Sequence, residues 1–209
     1  MKKELLRTQI AFFLKKEFNA FEAFALEIKK VLGETETRYL PVPTDAPVQF
    51  PRLIIDYKTF NIQVFKNRID LFFQENYDQE TLLKVINVLS SILGLPIGRV
   101  GFVKTLFVES DIMTLKNLLP EEKIKSLDIK EINLRINVRR TIGGFKCNSI
   151  EKIDPGNVTK NTNLVKSGLI VSKDCNTIAE EALPDNLEST ALQTLIKELD
   201  DETKIFILI

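Results

Sequence analysis

The chain has 209 residues, and its 29 Lys and Arg residues balance 29 Asp and Glu residues to a formal net charge of zero. This balance argues against a general polyanion binder, because such proteins usually carry a basic excess. The sequence contains no histidine, which removes the commonest general base, the usual partner of a Ser or Cys nucleophile and the commonest metal ligand. We therefore predict no catalytic residues, no metal and no cofactor.

The cysteine content and the apolar runs predict a reducing compartment. Cys147 and Cys175 have no Cys-x-x-Cys spacing, which favours two reduced thiols over a disulfide framework or a zinc site. The apolar stretch near the N-terminus is interrupted by Arg7, Lys15 and Lys16, so it does not resemble a secretory signal. No run of about 18 apolar residues is present that could span a membrane. These features predict a cytoplasmic protein with no membrane association.

The first 51 residues predict a strand, a helix and a connector. Ile10, Phe12 and Leu14 lie at strand spacing, whereas apolar residues at positions 5, 6, 10 and 13 could line a helix; we favour a strand over residues 8–16. Asn19 is the predicted N-cap of a helix with apolar residues at helical spacing, and Gly33 ends that helix. Residues 34–51 hold four prolines, which predict an extended connector within one domain.

The next segment predicts an antiparallel meander followed by a buried helix. A short polar turn joins residues 61–65 to residues 69–73, and a connection this short cannot join parallel strands. The predicted core side chains of this hairpin are Ile62, Val64, Ile69 and Leu71. Asp78 is a candidate N-cap for a helix whose apolar residues cover more than half of its circumference, and Gly94 ends it.

The third segment contains the cleanest strand pattern in the chain. A strand rich in Val and Phe is predicted at residues 99–110, followed by two short helices at residues 112–119 and 121–127. Residues 132–139 then alternate strictly, and the side chains predicted to face the core are Leu134, Ile136 and Val138. Gly143–Gly144 permits a tight reversal into a further strand.

The last segment predicts turns, a short strand and a helix. The sequence of residues 154–157, Asp-Pro-Gly-Asn, is a turn signature, and the low apolar content of residues 154–168 predicts a mobile loop. A short strand at residues 169–171 and a turn at residues 174–176 follow. Apolar residues at helical spacing between 187 and 199 predict a final amphipathic helix.

Because the strands arrive in hairpins instead of alternating strictly with helices, the order of elements favours an α+β fold. We predict one domain over residues 1–209, with an antiparallel sheet and helices packed mainly on one face. Each half of the chain contains a meander beside a helix, which suggests the hypothesis of a duplicated unit.

The predicted binding surface is polar and basic. Its residues are Asn133, Arg135, Asn137, Arg139, Arg140 and Lys146. Arginines two residues apart on a strand lie on one side about 7 Å from each other, close to the spacing of phosphates. The preferred interpretation is a solvated face on which the cations pair with carboxylates such as Glu131 and Glu151. The alternative is a surface that binds nucleic acid.

Two sets of carboxylates raise an enzymatic alternative. Asp56 and Asp70, on neighbouring predicted strands, could hold Mg²⁺ or act as acid and base. The acidic run at residues 200–202 is interpreted as a solvated turn after the last helix.

The chain ends in an apolar segment that something must cover. This C-terminal tail consists of Ile205, Phe206, Ile207, Leu208 and Ile209. The preferred interpretation is a last strand at the edge of the sheet. The alternative is a strand that docks on another chain by β-augmentation, giving a dimer or a hetero-complex.

Three features form one layout: the order of elements from Gln9 through the meander, Gly98–Phe102 after the central helix, and the strand over residues 131–139. This layout resembles a family of uncharacterised, sporadically distributed bacterial proteins. Where the family carries an aromatic-x-Asn continuation, this chain has Phe102-Val103-Lys104. The resemblance implies a strand-helix start and an α+β fold. The family has no assigned activity to transfer.

These patterns together predict a non-catalytic binding protein that acts through a protein partner or through self-association. Nucleic-acid binding through the strand face that carries Arg135 and Arg139 is the first alternative. A carboxylate-dependent or metal-dependent enzyme is the second.

Overall fold

The computed structural model describes residues 3–43, 45–74, 76–110, 132–160, 164–185 and 187–206. The strands of this part of the chain are β1 Lys3–Leu14, β2 Glu36–Tyr39, β3 Leu53–Asp56, β4 Phe60–Val64, β5 Arg68–Phe73, β6 Ile97–Val108, β7 Leu134–Ile142, β8 Phe145–Lys160 and β9 Leu164–Thr177. The α-helices are α1 Phe21–Leu32, α2 Gln79–Asn87 and α3 Ser189–Glu202, and a π-helical turn over Val88–Ile92 continues α2. The two short helices predicted at residues 112–119 and 121–127 lie outside the described residues.

The described strands form one antiparallel sheet in the order β2-β3-β4-β5-β1-β6-β9-β8-β7. Strand β1 is central, because it pairs with β5 on one side and with β6 on the other. This arrangement confirms the predicted α+β fold with an antiparallel sheet. The duplicated unit stays a hypothesis.

The hydrophobic core lies against one face of the sheet, which we call the core face. On β1 this face carries Ile10 and Phe12, both completely buried. The four core side chains predicted for the β4–β5 hairpin are also completely buried in the same cluster, which confirms them. All three helices add buried side chains to this cluster, among them Phe24, Leu82 and Leu195. Each such side chain contributes about 1.5–3 kcal/mol when it leaves water. The opposite face is called the outer face.

The helix termini confirm one predicted cap and correct another. Asp78 accepts hydrogen bonds from the backbone N–H of Thr81 (2.8 Å) and Glu80 (3.3 Å), and the bonds from Thr81 lower the pKa of its carboxyl group. Asn19 is not the N-cap of α1: that position belongs to Ala20, which makes no side-chain capping bond. Gly33 ends α1 with φ near 90°, as predicted.

The predicted connector over residues 34–51 contains a strand that the sequence did not reveal. Residues 36–39 form β2, which pairs with β3 and makes one edge of the sheet. The rest of the connector is tied down by Arg52, which donates to the carbonyl oxygens of Pro43 (2.8 Å) and Ala46 (2.9 Å).

The prediction of a mobile loop over residues 154–168 is wrong, and so are the turns at 154–157 and 174–176. All of these described residues belong to the long β8–β9 hairpin. Pro155 is tolerated there because the described pairing of β8 with β7 stops at Ile153. The N–H that proline lacks is therefore not needed for a hydrogen bond to β7. Gly156 pairs directly with Gly168.

The Gly168 position shows why the hairpin needs a glycine. A Cβ atom on Gly168 would lie 2.5 Å from the carbonyl oxygen of Val108 and 2.7 Å from the ring of Phe107. We therefore expect Gly168→Ala to lower the free energy of unfolding by about 1–3 kcal/mol through overpacking. Chemical denaturation measures this.

Gly101 provides the control for that substitution. A Cβ atom on Gly101 would meet Asn176 at 3.5 Å, which is an ordinary contact. Gly101→Ala should therefore leave stability unchanged or raise it by about 0.4–1 kcal/mol, because alanine restricts the unfolded chain. Equal losses in the two variants would contradict the steric explanation.

Candidate binding surface

The predicted basic strand is β7, which lies at the edge of the described sheet. Its side chains alternate as predicted: Arg135, Asn137 and Arg139 are exposed, whereas the apolar residues between them are half-buried. Asn133 is exposed and precedes the strand. The apolar residues are only half-buried because β7 has a described neighbour on one side alone.

The structure corrects the placement of Arg140. Alternation along β7 turns its side chain away from the outer face, and its Nε lies 2.7 Å from Oε1 of Glu202 on α3. Glu202 in turn accepts a hydrogen bond from Ser149 at 3.0 Å. The predicted surface is therefore divided between the two faces of the sheet. Arg140 points to the core face, whereas Lys146 of β8 pairs with Thr141 and shares the outer face with Arg139.

A cleft beside the β7–β8 hairpin brings three predicted site residues together. The cleft has a volume of about 530 Å³ and is open to solvent. We call it the hairpin cleft. It is lined by Arg139, Arg140, Thr141, Lys146, Ile178, Glu180 and Glu181. Basic groups of the hairpin therefore face acidic groups of the segment between β9 and α3.

The cations of the hairpin cleft have acidic partners other than the predicted ones. Nη2 of Arg139 lies 3.7 Å from Oε1 of Glu180, and Lys146 forms an ion pair with Glu181. Of the predicted partners, Glu131 lies outside the described residues, and Glu151 is completely buried on the core face. Sequence reasoning missed the glutamates because the segment that carries them approaches the hairpin only in the folded chain.

The centre of the outer face carries arginines stacked on phenylalanines. The guanidinium carbons of Arg68 and Arg99 lie 5.7 Å and 4.8 Å from the ring centre of Phe13. The guanidinium of Arg7 lies 5.2 Å from the ring centre of Phe72. Such contacts orient a guanidinium group and contribute about 0.5–1 kcal/mol at exposed sites. The sequence did not predict them because the residues come from three strands.

Asp70 lies beside these arginines on the outer face and is only 1% exposed. Nε of Arg68 is 3.1 Å from Oδ2 of Asp70. Burial raises the pKa of Asp70 to about 6, although the charge of Arg68, a hydrogen bond from Gln9 and the charge of Arg7 oppose this by favouring the charged form.

The structure does not bring the predicted carboxylate pair together. Asp56 and Asp70 lie on β3 and β5 with β4 between them, and each is paired with a different arginine, Arg38 or Arg68. Among the described residues, no three His, Cys, Asp or Glu side chains are grouped so that they could hold a metal ion.

The acidic run at residues 200–202 is not a solvated turn. It forms the last turn of α3, in which Asp200 is buried, Glu202 is half-buried and Asp201 is exposed. Asp200 forms an ion pair with Lys104, and Nζ of Lys173 lies 3.5 Å from Oε2 of Glu151. Lys104, Lys173 and Glu151 occupy directly opposed positions on β6, β9 and β8. We call these three residues and Asp200 the buried ionic row.

Both cysteines are buried, and neither is in a disulfide. Burial raises the pKa of Cys147 to about 11 and that of Cys175 to about 12. Because the thiolate is the reactive form, this burial lowers the reactivity of both thiols at neutral pH.

The described part of the C-terminal tail does not form the predicted edge strand. Ile205 and Phe206 follow α3 without regular secondary structure. Phe206 packs against a second apolar cluster, and Nζ of Lys3 lies 4.3 Å from its ring centre. Ile205 is 52% exposed. Docking of a partner on the tail stays a prediction, and residues 207–209 lie outside the described part.

No helix in the described ranges is long and apolar enough to cross a membrane. Comparison of the chain with protein-family models and with curated proteins gives no match. The resemblance to the bacterial family therefore stays a prediction.

Proposed function

We propose that the protein is a non-catalytic binding protein that recognises a protein partner through the hairpin cleft. The observation that carries the proposal is the solvent-open cleft in which Arg139 and Lys146 of the hairpin face Glu180 and Glu181. Arginine is enriched among the residues that dominate the binding energy of protein interfaces. The cleft is lined by cations, carboxylates and an isoleucine, so it offers both charged and apolar contacts of the kind that a protein partner makes.

The charge pattern favours a protein partner over a nucleic acid. Arg139 and Lys146 are each opposed by a glutamate, and Lys152, farther along β8, lies 2.6 Å from Asp154. Nucleic-acid binding depends on cations that neutralise phosphates in excess of nearby acids. Here each of these three cations has an acidic partner, and the whole chain has no net charge.

Charge reversal in the hairpin cleft tests the proposal. We expect Arg139→Glu/Lys146→Glu to reduce recovery of a stoichiometric protein partner from nuclease-treated host lysate by at least tenfold, because cleft and partner would then repel. Quantitative mass spectrometry of the captured proteins measures this, with circular dichroism to confirm folding. Light scattering of the purified protein shows whether the partner is a second copy.

The matched control is Arg38→Glu/Lys58→Glu. It also reverses the charge of one ion-paired arginine and one exposed lysine, but near the opposite edge of the sheet. Arg38 lies on β2, and Lys58 follows β3. The control should retain the partner. Retention of the partner by the cleft variant, or recovery of nucleic acid alone with loss at moderate salt, would reject the proposal.

A further inference from the structure

The free edge of β2 carries backbone groups that the described sheet does not use. Leu40, just after this strand, donates its N–H to the carbonyl oxygen of Arg52 at 2.9 Å. In an antiparallel ladder, residues that bond to one neighbouring strand alternate with residues that point away from it. The even-numbered residues of β2 therefore bond to β3, whereas Thr37 and Tyr39 direct their N–H and C=O groups outward. Among the described strands, none lies on that side of β2.

The charges of β2 are poorly matched within one chain. Glu36 lies directly opposite Asp56 on β3, and like charges in opposed positions of a sheet are destabilising. The cation of the strand is turned toward the same carboxylate, because Nε of Arg38 donates to Oδ2 of Asp56 at 3.0 Å. The arginine side chain is still 53% exposed. A second cation opposite Glu36, on the free side of β2, would relieve this repulsion.

A second copy of β2 supplies that cation in one register. When two β2 strands pair antiparallel about a two-fold axis at residue 37, Glu36 of each copy faces Arg38 of the other. Arg38 has several N–H donors, so it can hold its own Asp56 and this glutamate together. The adjacent registers that also join the outward backbone groups place Glu36 opposite Glu36 or Arg38 opposite Arg38, and both are repulsive. The strand is therefore self-complementary, as an interface between identical copies with two-fold symmetry requires.

Exposed apolar side chains flank this edge on the core face. Tyr39 pairs with the buried Leu53, which places it on that face, and it is 50% exposed. Partial burial and the charge of Glu22 on α1 raise the pKa of the Tyr39 hydroxyl. Leu26, one helical turn after Glu22, is 55% exposed, so it lies on the same side of α1 as Tyr39. Two short strands alone make a small interface, and these apolar groups add to the area that a stable dimer buries.

The opposite edge of the described sheet does not have this complementarity. Strand β7 carries Arg135, Arg139 and Arg140 and no acidic residue. Pairing of two copies of β7 would therefore bring cations together, which is a common way in which proteins keep a sheet edge from pairing. Of the two edges, β2 is the one whose charges favour a second copy.

We infer that the protein forms a two-fold symmetric dimer in which β2 pairs antiparallel with β2 of a second copy, centred on Thr37. The two Thr37 residues exchange backbone hydrogen bonds, and Tyr39 does so with Thr35 of the other copy. The inference goes beyond the proposed function, because β2 and the β7–β8 hairpin lie at opposite edges of the described sheet. Each copy therefore keeps its hairpin cleft open for the proposed partner.

Reversal of the two charges tests the register. Glu36→Arg places an arginine opposite the partner's Arg38, and Arg38→Glu places a glutamate opposite the partner's Glu36. Each variant alone should dimerise about tenfold or more weakly than the wild type, because both cross-strand pairs become repulsive. An equimolar mixture of the two variants should form a heterodimer, since every pair then joins an arginine to a glutamate. Light scattering over a range of concentrations measures the dimer, and native mass spectrometry with one variant isotopically labelled identifies the mixed species.

The matched controls are Glu80→Arg and Lys84→Glu. They change the net charge by the same amounts as the two test variants, but their exposed ion pair lies on α2. Both controls should dimerise as the wild type does, and circular dichroism confirms that all four variants are folded. A wild type that stays monomeric at every concentration would overturn the inference. Equal weakening in tests and controls, or a mixture that forms no heterodimer, would overturn it as well.

A disulfide across the two-fold axis gives a readout that does not depend on charge. Opposed residues of a hydrogen-bonded pair lie about 5.5 Å apart between Cα atoms, within reach of a disulfide. Thr37→Cys should therefore give a covalent dimer on mild oxidation, seen on a non-reducing gel. Tyr39→Cys is the control, because its two copies lie more than about 10 Å apart in this register. Both native cysteines are buried and do not compete. Equal cross-linking of the two variants would contradict the register.

The outcomes separate the inference from the proposed function. If Arg38→Glu loses the dimer but still captures the partner, the two surfaces are independent and both proposals stand. If Arg139→Glu/Lys146→Glu keeps both the dimer and the partner, only the proposed function fails. If that cleft variant loses the dimer while Arg38→Glu keeps it, the second copy occupies the hairpin cleft and the inference fails.

Discussion

Glu151→Gln is expected to lower the free energy of unfolding by about 3–5 kcal/mol, because it leaves a buried charge without its counter-charge. Lys173 is 1% exposed, and its Nζ lies 3.5 Å from Oε2 of Glu151, which is completely buried. Lys104, directly opposite Lys173 on β6, is a second buried cation. Glutamine keeps the shape of Glu151 but removes the charge, so chemical denaturation of the folded variant reports the electrostatic loss.

Replacement of both partners separates that loss from packing. Glu151→Leu/Lys173→Met removes the pair together and should cost much less than Glu151→Gln alone, because no unpaired charge remains. Asp154→Asn, which breaks the more exposed pair with Lys152, should cost less than about 1 kcal/mol. A Glu151→Gln loss no larger than that of Asp154→Asn would show that the buried ionic row contributes little to stability.

The parts of the fold that the sequence predicted are those set by local patterns. The β4–β5 hairpin follows from a short polar turn between two alternating runs, and Asp78 caps α2 as its position before an apolar helix predicts. The reversal between β7 and β8 follows from Gly143–Gly144, both at positive φ. In each case the interacting residues lie close together in the chain.

The β8–β9 hairpin shows where local patterns mislead. Asp154–Asn157 has the composition of a turn, but the opposed glycines of the two strands admit Phe107 and Ile170, and this tertiary packing outweighs turn propensity. Lys104 and Lys173 likewise mislead, because a lysine within a strand is expected to face solvent. They are buried where α3, which begins sixteen residues after Lys173, packs on the sheet.

The candidate site could be predicted only where it depends on the local sequence pattern of β7. Alternation placed Arg135 and Arg139 on one exposed face, as observed. It could not supply Glu180 and Glu181, because their distance from the hairpin depends on the path of an irregular segment. Arg140 was grouped with its neighbours by sequence proximity, although strand geometry sends adjacent side chains to opposite faces.

Asp70→Asn is expected to raise the free energy of unfolding by up to about 3 kcal/mol at pH 7.5 and to change it little near pH 4. The pKa of Asp70 is raised from 3.8 to about 6 by burial, and that difference corresponds to about 3 kcal/mol. Between pH 3.8 and about pH 6, Asp70 is protonated in the folded protein but ionised in the unfolded chain, so the folded protein binds more protons. The wild type therefore gains stability from protonation of Asp70 below about pH 4 and loses that gain as the pH rises to 6.

The measurement is the difference in unfolding free energy between Asp70→Asn and the wild type at several pH values from 4 to 7.5. Asp56→Asn is the control, since it breaks a more exposed pair with Arg38 and should cost less than about 1 kcal/mol at pH 7.5. If Asp70→Asn instead destabilises the protein at pH 7.5, the attraction of the charged carboxylate to Arg68 and Arg7 stabilises the fold by more than the burial of that charge destabilises it. Asp70 would then act as the anchor that holds those guanidinium groups against Phe13 and Phe72.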